Sequence, residues 1–164
     1  MNIVKAKPIE LVETFYLLKT HLREMNSKGW MYRNLQFELL RKEIEEGSVF
    51  IYKNDFLSLG LIILHTKASE DYENVTWIVD SKKPLFVSFL IEHPKWRKYG
   101  IARQLLTFAE EFAKDQGFTS LRVDAYGGNQ EIITLFNDTK YQNTGQILIE
   151  AQKVPFYCFE KKVG

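Results

Sequence analysis

The sequence predicts an α/β fold of the α+β kind: one mixed sheet, mostly antiparallel and partly parallel, flanked by helices. Three observations carry this. Hydrophobic residues recur at helical spacing up to Gly47 and in short strand-like runs after it. Further on, the apolar runs 85–91 and 121–125 enclose an amphipathic segment that starts at Ile101. That is the order of a strand–helix–strand crossover, the connection that joins parallel strands. Finally, 164 residues, 45% of them hydrophobic, are enough to bury the core of one domain spanning 1–164.

Each element has its own signature. Pro8 opens the first helix, where a missing N–H costs nothing. Leu11, Val12, Phe15, Leu18, Leu22 and Met25 follow at helical spacing. A polar and aromatic loop over 26–34 carries Trp30, Met31, Tyr32 and Arg33. Leu39, Leu40 and Ile44 mark a second, short helix that Gly47 ends. Residues 48–53 and 58–64 flank the turn-like Asn54-Asp55-Phe56 and read as a hairpin. The next two strands are 74–80 and 85–91, rich in Val, Ile, Phe and Trp. In the crossover helix, Ile101, Leu105, Phe108, Ala109 and Phe112 share one face, and Gly117 stops it. A buried strand at 121–125, a brief helix from Asn129 through Phe136, and strands at 147–149 and 156–160 complete about seven strands and four helices.

Composition narrows the function classes. A net charge of +1 argues against non-specific nucleic-acid binding, which leans on a basic field. No apolar run approaches ~20 residues and the first residues lack a signal-type apolar stretch, so no membrane partner and a cytoplasmic location are expected. The lone Cys158 fits a reducing compartment and a place in the core. No metal is expected, because His21, His65 and His93 lack ligand-type spacing with one another or with Cys158. No activated nucleophile is evident either.

The most telling segment is Pro94-Lys95-Trp96-Arg97-Lys98-Tyr99-Gly100-Ile101-Ala102. It is a basic turn ending in glycine at a helix start, where unpaired N–H groups and the positive end of the helix dipole favour an anion. Gly100 lets a ligand approach the backbone, and Arg97 and Lys98 add charge. Alone, such a turn is equally a helix start with a solvated basic pair. Its spacing Arg-x-x-Gly-x-Ala after His93-Pro94, together with the order of elements, resembles the GNAT superfamily of acyl-CoA-dependent N-acetyltransferases. The segments 71–77, 121–125 and 156–161 also resemble a group of bacterial GNAT proteins.

The resemblance implies acetyl-CoA as co-substrate, an amine acceptor and acetyl transfer in a ternary complex. Its diphosphate would be held by Arg97, Lys98 and the N–H groups of Tyr99, Gly100, Ile101 and Ala102. Leu90, Ile91 and Glu92 match the segment that pairs with the pantetheine arm, in an opening between strands that also polarises the acyl carbonyl. Asn129 matches an asparagine that contacts the CoA arm; it is also a good N-cap, and the two roles are compatible. Asp124 matches the position of a catalytic base in some members, with Glu92 as rival, although Asp124 could simply pair with Arg122. Phe136 stands where many members have a tyrosine that protonates the departing thiolate, and a phenyl ring cannot donate. Tyr126 and Tyr157 are the substitutes in reach of sequence reasoning. The acidic loop 70–73, with Trp30, Tyr32 and Trp77, could draw in a cationic amine or merely be solvated. A homodimer is compatible with the family. The rival class is a GNAT-shaped module that binds acyl-CoA or a partner without catalysis.

Overall fold

Ser58–His65 (β3) is the strand around which the molecule is built, and every residue of it but His65 is buried. A strand this apolar on both faces needs cover on both. The computed structural model, which describes residues 2–27, 37–149 and 153–164, provides it. The chain runs Ile3–Lys5 (β1), Leu11–Ser27 (α1), Phe37–Glu45 (α2), Val49–Lys53 (β2) and then β3. Pro84–Glu92 (β4), Ile101–Asp115 (α3), Ser120–Tyr126 (β5), Gln130–Asp138 (α4), Gln142–Ile147 (β6) and Phe156–Lys162 (β7) follow. The seven strands lie in the order β1-β2-β3-β4-β5-β7-β6. Every neighbouring pair is antiparallel except β4 and β5, which α3 joins as a crossover. No helix among the described residues is long and apolar enough to cross a membrane.

One face of the sheet carries the core of α3 and α4, with Leu105, Ala109, Leu121, Val123 and Phe136 inside it. The other face is shared. Helices α1 and α2 cover β2, β3 and the end of β4, and Tyr72, Phe86, Tyr126, Phe156 and Cys158 form a separate cluster over β5 and β7. On α1 the buried stripe is Leu11, Thr14, Leu18, Leu22 and Met25 with Leu17 beside it. Val12, expected on that stripe, lies one residue (100° of turn) off it and is 72% exposed.

Two strand expectations are corrected. Residues 74–80 form no strand: their Val75 and Trp77 pack irregularly on the Tyr72 cluster, and the amides of Ile78 and Val79 donate to the Glu160 carboxylate at 2.8 and 2.7 Å. The seventh strand is instead β1, at the sheet edge. The strand expected at 147–149 is β6, which starts earlier, at Gln142. As an edge strand with mostly exposed residues it lacks the apolar alternation that marks a half-buried one.

Candidate active site

The parallel pairing of β4 with β5 is short. Its register runs from Pro84↔Ser120 to Val87↔Val123 and stops. Beyond it, β4 pairs only with β3 and β5 only with β7, so the sheet splits. A β-bulge accompanies the split: Ile63 pairs with Phe89 and Leu64 with Val87, leaving Ser88 without a partner. The opening lies on the wall of a cavity of about 970 Å³ lined from both sides, by 85–91 and by 123–126.

Backbone directions on the free edge follow from one hydrogen bond. The His93 amide donates to Leu59 O at 2.7 Å, so His93, Ile91 and Phe89 turn their amides toward β3. Leu90 and Glu92 therefore turn theirs into the split. Of the three residues expected to pair with a pantetheine arm, these two have the orientation for it. Ile91 does not: it faces β3 and its side chain is 1% exposed in the α1/α2 core.

A smaller cavity of about 270 Å³ adjoins the first, lined by Glu92, Arg97, Lys98, Gly100, Ala102, Arg103, Asn129 and Glu131 among others. Gly100 caps α3 at φ +74°, and Lys98 also has a positive φ of 71°. A left-handed lysine is strained by roughly 1–2 kcal/mol, and such strain gathers where backbone amides are aimed at a ligand. A Cβ on Gly100 would meet nothing within 4 Å, so the backbone there is open to approach. The amides of Tyr99, Gly100 and Ile101 have no partner among the described residues. Ile101 contributes only this amide, since its side chain is 2% exposed in the α3 core. Tyr99 is 67% exposed and rests its ring on Trp96, 5.4 Å away.

Two carboxylates already use this positive end. Glu24 of α1 accepts from both terminal guanidinium nitrogens of Arg97 in a bidentate pair. Glu92 Oε2 accepts the Ala102 amide at 3.3 Å. Burial pushes the Glu92 carboxyl above the ordinary range, while the Ala102 bond and Arg97 pull the other way. Lys98 remains exposed and open to an incoming anion.

Asn129 performs the N-cap role, accepting from Ile132 N at 3.4 Å, and its Nδ2 points to Met25 Sδ at 3.7 Å. It lines both cavities. Phe136 is fully buried and stacks on Tyr141 and Phe159 at 5.4 and 5.2 Å, so it is first a core residue. Asp124 does not pair with Arg122, whose Nε binds Glu160 at 2.8 Å. Its Oδ2 instead accepts the Tyr72 hydroxyl at 2.6 Å. Burial first, then the Asp124 charge and hydrogen bond, pushes the Tyr72 phenol up, so it stays a donor. The same burial and charge lift the Cys158 thiol to about 12, leaving it inert.

Tyr126 lines the cavity, whereas Tyr157 is not among its walls. Glu70, Asp71 and Glu73 are exposed and Trp77 packs on Tyr72, so among the described residues none of these lines the cavity; Trp30 and Tyr32 lie outside them. Tyr72 is the residue that sequence reasoning passed over, because its place beside Asp124 depends on a loop folding back over β5.

The family model for the GNAT acetyltransferase family matches residues 15–138. No curated protein matches the sequence. A GNAT-family acetyltransferase from Streptococcus agalactiae aligns over 99% of this chain and 95% of its own, at 16% identity and a TM-score of 0.83. The N-acetyltransferase PaiA of Thermoplasma acidophilum, solved with coenzyme A, aligns over 98% and 97% at 15% identity and 0.74. The yncA protein of Salmonella typhimurium, solved with its cofactor acetyl-CoA, aligns over 99% and 93% at 13% identity and 0.74. With a matching family model over most of its length and a fold shared with such neighbours, the chain belongs to the GNAT family of acetyltransferases.

Proposed function

We propose that the protein transfers an acetyl group from acetyl-CoA to a primary amine of a small molecule or peptide, by direct attack in a ternary complex. The observation that carries this reading is the split beyond Val87 and Val123. It joins an open helix N-terminus on one side to the pocket holding Asp124 and Tyr72 on the other.

The amides from Tyr99 to Ala102, with Lys98 and Arg97, would hold the diphosphate. Glu92 must then yield the Ala102 amide, and Arg97 must share its guanidinium with Glu24. The backbones of Leu90 and Glu92 would pair with the pantetheine arm, beside Asn129. This aims the thioester at the bulge around Ser88. Asp124, with one oxygen tied to Tyr72, supplies negative charge that draws an ammonium to the same point. Tyr126, on the cavity wall, would protonate the departing thiolate, although a thiol of pKa ~8.5 also leaves unaided.

Calorimetric titration with acetyl-CoA tests the reading, with Gly100→Glu as control. Micromolar binding in the wild type, lost in the variant, is expected, because a carboxylate at a left-handed position would both strain the turn and repel the diphosphate. No binding by the wild type would remove the proposal. A non-catalytic acyl-CoA-binding module is the second reading, and Phe136 favours it by placing a phenyl ring where many relatives have a proton donor. Binding without release of CoA across a panel of amines would select it.

A further inference from the structure

Three side chains outside those already assigned meet on the wall of the larger cavity. His65, the last residue of β3, has its Nε2 2.8 Å from Glu43 Oε2 and its Nδ1 2.6 Å from Ser88 Oγ. Glu43 comes from α2, and Ser88 is the unpaired residue of the β4 bulge. The bulge matters because it interrupts the alternation of the strand and gives Ser88 a partner on the α2 side. Val87↔Val123 is the last parallel pair, so Ser88 and Asp124 are the first residues past it, on opposite lips of the split. All three members of the cluster line the cavity, as does Asp124.

The chemistry of the cluster has a direction. A carboxylate only accepts, so the bond to Glu43 assigns the proton of a neutral ring to Nε2 and leaves Nδ1 to accept from the Ser88 hydroxyl. We propose that Ser88, His65 and Glu43 form the proton relay that turns the acceptor from ammonium into free amine. This rests on the acetyl-transfer reading above.

The ammonium proton passes to Ser88 Oγ as the Ser88 proton passes to His65 Nδ1, and Glu43 balances the imidazolium. The freed nitrogen lone pair forms the C–N bond, the C–S bond breaks with its electron pair on sulfur, and the second proton lost by nitrogen goes to the departing thiolate. One acetyl-CoA and one ammonium thus give one amide, one CoA thiol and one proton on His65. The other carboxylates are less suited. Asp124 already accepts from Tyr72, and Glu92 caps α3.

The surroundings of His65 agree. The Glu43 hydrogen bond raises its pKa, burial works against this, and the charges of Glu43 on α2 and Glu46 in the turn after it add to the rise. Glu43 is correspondingly held low by the ring. Ser88 faces the ring from β4, while Lys67 and His21 line the same cavity. The Glu43 carboxylate thus makes the ring a stronger proton acceptor than a free imidazole.

The test uses two probe amines, benzylamine, which is protonated at pH 7, and hydroxylamine, which is already neutral. Release of CoA is followed for wild type, His65→Gln, Ser88→Ala and Glu43→Gln, with acetyl-CoA affinity measured alongside. In His65→Gln, release with benzylamine should fall roughly 100-fold or more, while release with hydroxylamine and acetyl-CoA affinity stay unchanged. Ser88→Ala should follow the same pattern. The acidic limb of the wild-type rate profile with benzylamine should vanish in His65→Gln and move to lower pH in Glu43→Gln.

An equal loss with both amines would mean a structural role and overturn the relay. An acetyl group recovered on the Ser88 peptide after incubation without amine would make Ser88 a nucleophile and overturn it equally. Wild-type release with both amines, unaffected in His65→Gln, removes the relay alone. No release by the wild type with any amine removes the transfer reading and the relay with it.

Discussion

Glu92 is a carboxylate kept where the fold invites an anion, and its protonation is linked to stability. Burial, the largest influence on it, raises its pKa above the unfolded value. Between those two values the native state binds more protons than the unfolded one, so stability falls as pH rises through that window. The cost is complete above the raised value and absent below the ordinary carboxylate range. Glu92→Gln should therefore raise the melting temperature at pH 7 and leave it unchanged at acid pH, since the amide oxygen can still accept from Ala102. The same variant should bind acetyl-CoA more tightly, because the diphosphate no longer displaces a charge of its own sign. Thermal melts across pH, paired with calorimetry, check both; a lower melting temperature at pH 7 would mean that the ionised carboxylate is a net stabiliser.

Among the elements, α3 is held at its first turn by the absence of a side chain on β3. A Cβ on Gly60 would lie 2.7 Å from Ile101 Cγ2 and 2.9 Å from the Ile91 carbonyl oxygen. The second contact is backbone and cannot swing away. Overpacking of this kind costs about 1–3 kcal/mol, and here the helix start next to Gly100 must move. Gly60→Ala should lower the melting temperature and weaken acetyl-CoA binding together, whereas Ala113→Gly, at the far end of α3, should lower stability alone.

Helix α3 was legible in the sequence because one face is apolar at the right period and Gly100 and Gly117 bracket it. The 74–80 segment misled because Val75, Trp77 and Val79 alternate as a strand would. Its Ile78 and Val79 amides bond instead to the Glu160 carboxylate, a partner some eighty residues away that no local pattern announces. For the same reason Gly100 could be found by spacing, but the meeting of Glu43, His65 and Ser88 could not. It depends on three elements and on the bulge that redirects Ser88.

At the scale of the whole molecule the sheet is two antiparallel halves joined at four parallel pairs, with a free edge of β4 facing the gap. A ligand that lies in that gap acts as a missing strand. Binding only to the native state adds about 2.7 kcal/mol at a hundredfold excess over Kd, which for a domain of this size is a rise of roughly 5–10 °C in Tm. The location of the effect is the sharper prediction. The amides of Leu90 and Glu92 face the gap, while those of Phe89, Ile91 and His93 already face β3. Hydrogen exchange with and without acetyl-CoA should therefore slow at the two even-numbered residues and stay nearly constant at their neighbours. Such an alternating pattern is what strand-like pairing along one edge produces. Protection spread evenly over β4 would mean that acetyl-CoA stabilises the fold from elsewhere, and the gap between the two half-sheets would then lose its claim to the thioester.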